Sequence, residues 1–265
     1  MKRIIVTPAG RERYLEVLLN NLIKCKDEFN EWHLWVNTKN IDDITYMQKI
    51  EEIYDFIKII YCDIDVDGNN SIHSFFKHYI NEDEVYLRLD DDIVYVHKGS
   101  ISSIFEFRIK NEDPFLVFGN IINNAIVSHL HQRMGMLPIV DKLVSYNCLD
   151  SVGWNDPEFA LDCHNNFFKK QKKDELESFF FKNWILHDYN RVSINVISWL
   201  GKTFREFNGK VGIDEEEWLS VNKPLLLKRP NVIFGESLFS HYSFFTQREF
   251  LDKTDVLDRY KKISL

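Results

Sequence analysis

The sequence predicts an α/β domain of the Rossmann-like class, with a mostly parallel sheet flanked by helices. Two observations favour this class: short β-branched runs alternate with amphipathic segments in the first half, and no internal repeat or low-complexity linker divides the chain. A length of 265 residues and 45% apolar residues allow one sizeable core. The second half is aromatic-rich and weakly periodic, which predicts a helical or irregular annex.

The first strand is predicted at 3–7, where the β-branched run RIIVT stops at PAGR. A helix is predicted at 11–25, because apolar residues recur there at helical spacing. A strand at 33–37, a helix at 41–57 and a strand at 57–62 repeat this unit. Alternation of this kind indicates parallel strands joined by crossover helices.

The next predicted elements are a helix at 70–79 and a fourth strand at 85–90. A helix at 99–110 and a strand at 115–121 follow. Residues 123–200 show too little periodicity for individual elements to be assigned.

The composition excludes several classes of protein. The formal charge of −8 argues against a nucleic-acid binder, since phosphate neutralisation needs a basic face. Four cysteines without a CxxC pair indicate neither a disulfide framework nor a zinc site. The apolar run before Pro8 is too short for a signal peptide, so we expect a cytoplasmic location. Contact with the inner face of a membrane, through the basic and aromatic segment 168–184, is expected to be at most peripheral.

Three consecutive aspartates, Asp90, Asp91 and Asp92, interrupt the apolar run YLRLDDDIVYV at the predicted end of the fourth strand. In open α/β sheets, ligands bind beyond the carboxyl ends of the strands. Adjacent carboxylates repel one another, and a divalent cation such as Mn²⁺ or Mg²⁺, bridging to a diphosphate, would stabilise them. An acidic surface turn is the alternative interpretation.

A strand-end DDD after an N-terminal VTPAGR turn resembles the nucleotide-sugar-dependent glycosyltransferases of the GT-A fold, whose hallmark is a DxD motif. The resemblance covers the first half of the chain and a few positions near its end. It implies one GT-A-like domain, 1–265, with a nucleotide-sugar-binding half, 1–98, and an acceptor-side and catalytic half, 99–265. It also implies that Asp90 reaches toward the nucleoside or ribose, and that Asp92 binds the metal that holds the donor diphosphate.

Further candidates for nucleotide binding lie near the ends of the predicted strands. The full set is Thr7, Pro8, Arg11, Asn37, Asn70, Arg88, Asp90 and Asp91. By resemblance, the TPAGR turn would line a base pocket, although a plain strand-to-helix turn explains it equally well. Asn70 could instead cap a helix, and Arg88 could form a structural ion pair.

A second acidic cluster in KVGIDEEEWLS supplies candidates for a catalytic base: Asp214, Glu215 and Glu216. Inverting sugar transfer needs a carboxylate that accepts the proton of the attacking hydroxyl. In inverting members of the family an acidic motif in this place supplies it, but Ile213 replaces the first acid here. We rank Asp214 first and Glu215 second. A helix cap followed by an acidic first turn is the competing interpretation.

His241, in ESLFSHYSFFTQ, is the candidate for a second metal ligand, because many GT-A enzymes place a late histidine there. A packed structural histidine is the alternative. Trp154, Asn155, Asn123 and His131 are candidates for acceptor recognition, through apolar faces and amides.

The function expected from the resemblance is a metal-dependent, inverting glycosyltransferase. It would move a sugar from a UDP- or GDP-sugar donor to a glycan or lipid-linked acceptor, in surface polysaccharide or glycoconjugate synthesis. A retaining enzyme is one alternative. A nucleotidyltransferase that makes a nucleotide sugar is another, although such enzymes usually carry a glycine-rich N-terminal loop, and TPAGRER has one glycine. A non-catalytic glycan-binding module is the third.

Overall fold

Nine strands form one continuous sheet in the computed structural model, which describes residues 1–265. The strands are β1 (Lys2–Ala9), β2 (Glu31–Val36), β3 (Ile57–Ile60), β4 (Glu84–Leu89), β5 (Ile93–Val96), β6 (Val117–Ile122), β7 (Trp184–Ile185), β8 (Val196–Leu200) and β9 (Val232–His241). Their order is β3-β2-β1-β4-β8-β6-β9-β5, with β7 also beside β9. Strands β1, β2, β3, β4, β6 and β9 share one direction, so the sheet is mostly parallel.

Eleven helices and four shorter turns connect these strands. The helices are α1 (Glu12–Lys24), α2 (Ile41–Ile53), α3 (Asn69–Ile72), α4 (Ser100–Lys110), α5 (Ala125–Arg133), α6 (Pro157–Gln171), α7 (Gly201–Arg205), α8 (Glu215–Glu217), α9 (Lys223–Leu227), α10 (Phe245–Leu251) and α11 (Val256–Ser264). The 3₁₀ turns are Lys26–Glu28, His73–His78 and Leu176–Phe179, and a π turn covers Trp218–Asn222. None of the helices combines the length and apolar character that crossing a membrane requires.

Both faces of the sheet are covered, because successive side chains of a strand point to opposite faces. On β4, Leu87 packs in one core with Leu18 of α1. Its neighbour Tyr86 packs in the other core with Phe76 and Trp199. A third cluster joins β5 and β9 to α6, α10 and α11. The predicted fold class is confirmed.

The order of the strands places a crevice at the carboxyl ends of β1 and β4. The chain leaves β1 toward β2 and β3 on one side, and β4 then pairs with the other side of β1. Such a reversal of strand order opens a crevice where ligands bind in open α/β sheets. Strands β6 and β9 are parallel neighbours that end nearby, which brings the C-terminal part of the chain to the same region.

Candidate functional site

A cavity of about 730 Å³ lies at this crevice, between β1, β4, the segment before α8 and the end of β9. Thirteen of the residues predicted from sequence line it: Pro8, Arg11, Asn37, Asn70, Arg88, Asp90, Asp91, Asp92, Trp154, Asp214, Glu215, Glu216 and His241. Thr7 does not; it is fully buried, and its Oγ1 accepts a hydrogen bond from Trp32 Nε1 at 2.9 Å. A larger cavity, of about 1060 Å³, lies at the amino ends of β4 and β9 and contains none of these residues.

Arginines compensate the buried aspartate triplet. The guanidinium of Arg11 donates to both carboxylate oxygens of Asp91, and its Nη2 donates to Asp92 Oδ2 at 2.9 Å. Arg248 Nη2 donates to the same Asp92 oxygen at 3.3 Å. The backbone N–H of Gly10 donates to Asp91 Oδ2 at 3.2 Å. The mutual repulsion of the three aspartates is therefore offset in part by the protein itself.

Asp92 differs from its neighbours in keeping one oxygen directed at an imidazole. Its Oδ1 lies 3.5 Å from His241 Nε2. Burial raises the pKa of Asp92, but the charges of the nearby guanidiniums, Arg11 first and then Arg248, outweigh burial and hold that pKa below its ordinary value. Asp92 is therefore an ionised carboxylate at neutral pH.

A hydrogen bond at Nδ1 fixes the orientation of the His241 ring. Its Nδ1 lies 3.1 Å from the backbone carbonyl of Asn123, which can only accept a hydrogen bond. The neutral imidazole therefore carries its proton on Nδ1 and presents the lone pair of Nε2 to Asp92. A ring held in this way by a carbonyl is typical of histidines that bind metals.

Asn123 adopts a left-handed backbone conformation, with φ of 61°, directly after β6. This conformation is uncommon outside glycine, although asparagine tolerates it better than most residues. Its side-chain Nδ2 donates to the carbonyl of Tyr242 at 3.1 Å and to Gln247 Oε1 at 3.0 Å. Asn123 therefore fastens the end of β9 and the start of α10, as well as the His241 ring. It does not line the cavity as an acceptor contact.

One carboxylate oxygen and one imidazole nitrogen fit a Mn²⁺ site that completes its shell with water and phosphate oxygens. No group of three or more His, Cys, Asp or Glu side chains converges anywhere in the molecule. The protein would therefore supply two ligands, Asp92 and His241. The cavity lining carries four arginines and six carboxylates, a formal charge of −2 with His241 neutral.

Arg88 connects the aspartate triplet to the second acidic cluster. This β4 residue is 3% exposed. Its Nε donates to Asp90 Oδ1 at 2.8 Å, and its Nη1 donates to Glu215 Oε1 at 2.9 Å. Asn195 Nδ2 donates to the other oxygen of Asp90 at 3.1 Å. The ion pair with Arg88 and the hydrogen bond from Asn195 engage both carboxylate oxygens of Asp90, so its side chain is held rather than free to turn.

The three candidate bases lie in different environments. Asp214 caps α8 through the N–H of Glu217 at 3.0 Å and pairs with both terminal nitrogens of Arg191, with its side chain 57% exposed. Glu216 accepts from Arg191 Nε at 2.7 Å. Glu215 is buried; burial raises its pKa to about 7 against the opposing charge of Arg88, and its Oε2 has no hydrogen-bond partner.

The remaining sequence candidates form the wall beside β2 and α3. Asn37 Oδ1 accepts from Ser71 Oγ at 2.9 Å, and Asn70 Nδ2 donates to Asp67 Oδ2 at 3.0 Å. A Cβ on Gly10 would lie 3.1 Å from Thr38 Cβ, so the turn after β1 passes close to this wall.

Sequence reasoning missed some residues of the cavity. The missed side chains that contact the candidate residues are Arg191, Asn195 and Arg248. No local motif marks them, because their contacts depend on where β8 and α10 lie in the folded chain.

Comparison with known proteins supports the fold. No family model matches the sequence, and no curated protein matches it in sequence. Among solved structures, the mannosyltransferase PcManGT from Pyrobaculum calidifontis, in complex with GDP-Man and Mn²⁺, is similar with a TM-score of 0.53 and 7% identity; the match covers 91% of this chain and 56% of that one. CMP:2-keto-3-deoxy-manno-octonic acid synthetase, complexed with CTP, is similar with a TM-score of 0.52 and 8% identity, over 98% and 100% of the two chains. At these identities the likeness establishes the fold alone, a Rossmann-like α/β fold similar to GT-A structures.

Proposed function

We propose that this protein is a metal-dependent glycosyltransferase that moves a sugar from a nucleoside-diphosphate sugar, a UDP- or GDP-sugar, to an acceptor hydroxyl. The observation that carries the proposal is the approach of Asp92 Oδ1 to His241 Nε2 at 3.5 Å, inside a cavity of net negative charge. A diphosphate would be repelled by this lining unless a divalent cation accompanied it. The fold shared with a mannosyltransferase that binds GDP-Man and Mn²⁺ supports the same conclusion.

Mn²⁺ or Mg²⁺ bound at Asp92 and His241 would offset the charge that develops on the leaving diphosphate. Arg11 and Arg248 lie on the same carboxylate of Asp92, where their free N–H groups can donate to phosphate oxygens. Asp90, held by Arg88 and Asn195, would contact the nucleoside or ribose. These residues would bind and orient the donor.

Glu215 is the base that the geometry favours over Asp214. Its Oε2 is buried without a hydrogen-bond partner, and it would accept the proton of the acceptor hydroxyl through one bridging water. A pKa near the working pH is the best compromise between being deprotonated and being basic, and burial gives Glu215 a pKa of about 7. Arg88 holds the other oxygen and so fixes the direction of Oε2. A carboxylate that accepts the proton of the acceptor hydroxyl is the group that an inverting transfer requires.

Calorimetry with UDP and GDP, with and without Mn²⁺, tests the donor site. We expect one of the two nucleotides to bind only when the metal is present. Asp92→Asn should abolish this metal-dependent binding. Equal binding of nucleotide with and without Mn²⁺, or no binding of either nucleotide, would contradict the proposal. Incubation with UDP- and GDP-sugars then identifies the donor by release of the nucleoside diphosphate.

A nucleotidyltransferase is the second candidate, favoured by the likeness to a CTP-bound synthetase over the whole of both chains. The two reactions release different products. A glycosyltransferase releases a nucleoside diphosphate, whereas a nucleotidyltransferase releases pyrophosphate from CTP or UTP. Pyrophosphate release with a sugar substrate would replace the first proposal by the second.

A further inference from the structure

Four rings run from the proposed metal ligand to the mouth of the cavity. The ring centroid of Phe244 lies 4.8 Å from that of His241, Trp154 lies 6.2 Å beyond Phe244, and Phe245 lies 5.2 Å beyond Trp154. We call Phe244, Trp154 and Phe245 the aromatic row. All three line the cavity.

Exposure increases along the aromatic row. Phe244 is 9% exposed, whereas Phe245 is 71% exposed at the first position of α10. The outer two rings are held together, since Thr246 Oγ1 donates to the carbonyl of Trp154 at 2.8 Å and the rings meet edge to face. An exposed, fixed aromatic corner at the mouth of a polar cavity is a surface suited to binding a ligand with an apolar face.

The charge of the cavity limits what this ligand can be. The formal charge of the lining is −2 with Glu215 ionised and −1 with Glu215 protonated, so a divalent cation would bring it to 0 or +1, and a bound donor diphosphate would make the site negative again. An anionic acceptor would meet this negative site, because each of the four arginines of the lining already pairs with a carboxylate and the remaining N–H groups of Arg11 and Arg248 are those proposed for the donor diphosphate. A neutral sugar avoids the repulsion, and it combines an apolar C–H face with hydroxyls.

We propose that Trp154 and Phe245 form the acceptor subsite and that the acceptor ends in an uncharged pyranose stacked against them. This inference rests on the proposed glycosyltransferase function and narrows its acceptor. Phe244, between these rings and His241, would then line the path from the stacked sugar to the donor.

Saturation-transfer NMR with methyl glucoside, methyl galactoside and methyl mannoside tests the subsite in the presence of Mg²⁺ and the nucleoside diphosphate that binds. We expect at least one methyl glycoside to bind, and Trp154→Ala and Phe245→Ala each to weaken it by about two- to tenfold, the usual worth of an aromatic contact. Trp184→Ala and Phe250→Ala remove partly exposed rings that do not line the cavity and should leave glycoside binding unchanged. Trp154→Phe, which keeps a ring, should retain most of the binding if Trp154→Ala folds poorly.

Several results would overturn the inference. They are glycoside binding that is unchanged in both Phe245→Ala and Trp154→Ala, absence of binding to any of the three glycosides, or ring-dependent binding of vesicles containing an anionic polyprenyl phosphate instead. Nucleotide binding measured in the same samples distinguishes a failure of the acceptor subsite from a failure of the proposed function. If nucleotide still binds with metal, only the acceptor subsite fails; if it does not, the proposed function fails as well.

Discussion

The two acidic segments of this protein have similar compositions but opposite surroundings. Asp91 and Asp92 are 4% and 3% exposed and share Arg11, and Asp92 also pairs with Arg248. In the segment Asp214–Glu217, Asp214 has a side chain that is 57% exposed and pairs with Arg191 at the surface. Only Glu215, the one member that is buried, reaches the network of the triplet, through Arg88. Burial and partners, more than the density of acid, decide which carboxylate can act on a ligand.

This contrast predicts that substitutions in the two segments differ by orders of magnitude. Asp92→Asn should have the largest effect and lower metal-dependent transfer by about 10⁴-fold, because a bound metal supplies several kcal/mol of charge stabilisation. Initial rates at saturating donor measure it. Asp63→Asn, which changes an exposed aspartate paired with Lys77, is the control and should keep full activity. Full activity in Asp92→Asn would contradict the expected difference in effect between the two acidic segments.

Glu215→Gln should lower kcat by about 10²- to 10³-fold, the usual contribution of a general base. The rate of the wild type should rise with pH through about 7, where Glu215 loses its proton, and Glu215→Gln should lack that rise. A pH–rate profile of both proteins measures this. A rise of the same size in the variant would assign the base to another group.

Folding stability gives an independent check on Glu215. Burial raises the pKa of its carboxyl from an ordinary 4.5 to about 7, so between these values the folded state holds a proton that the unfolded state has lost. Stability from this group is present below pH 4.5 and is lost as pH rises through about 7. Urea midpoints at pH 5 and pH 8 should therefore show Glu215→Gln gaining on the wild type as pH rises. A constant difference would contradict the raised pKa.

Asn123→Ala should weaken Mn²⁺ binding by about 10- to 100-fold, because alanine disfavours the positive φ that directs the backbone carbonyl to His241 Nδ1, and disturbing a group that orients a metal ligand usually has an effect of this size. Asn123→Gly is the matched variant, because glycine accepts the positive φ and can keep the carbonyl on His241 Nδ1. Titration of Mn²⁺ by electron paramagnetic resonance should rank wild type, glycine variant and alanine variant in that order. Equal affinities for Mn²⁺ in all three proteins would show that Asn123 has no role in metal binding.

Asp214→Asn should have the smallest effect. Asparagine also caps helices well, and exposed ion pairs contribute at most about 1 kcal/mol, so we expect a small loss of stability and transfer within about threefold of the wild type. Thermal unfolding and initial rates measure the two quantities. A loss as large as that of Glu215→Gln would restore Asp214 to the first rank that the sequence suggested.

The N-terminal half, 1–98, was predictable because its signals are local. The strands expected at 3–7, 33–37, 57–62 and 85–90 are β1 to β4, and the aspartates lie where β4 ends. The helix expected at 70–79 is a single helical turn, α3, followed by a 3₁₀ segment. Local apolar spacing therefore located the elements that form the β1 and β4 side of the cavity.

The C-terminal half, 99–265, was less predictable, for identifiable reasons. Helix α6 does carry signals, with Asp156 as its cap and Pro157 at its first position, but they lie in a stretch whose polar residues hide the apolar spacing. Strand β9 contains Gly235, Glu236 and Ser237 in its middle, and its pairing with β6 shifts register there. The contacts of Arg248 with Asp92 and of Asn123 with His241 join residues 156 and 118 positions apart, which no local pattern contains.

The sharing of one Asp92 oxygen by Arg11 and Arg248 has a thermodynamic consequence. A cation on Asp92 would compete with both guanidiniums for that carboxylate and release their N–H groups toward phosphate. Metal and diphosphate would then be cooperative ligands. Because coupling free energies are reciprocal, each would tighten the other by the same factor, so the affinity measured for either one would be set by the concentration of its companion.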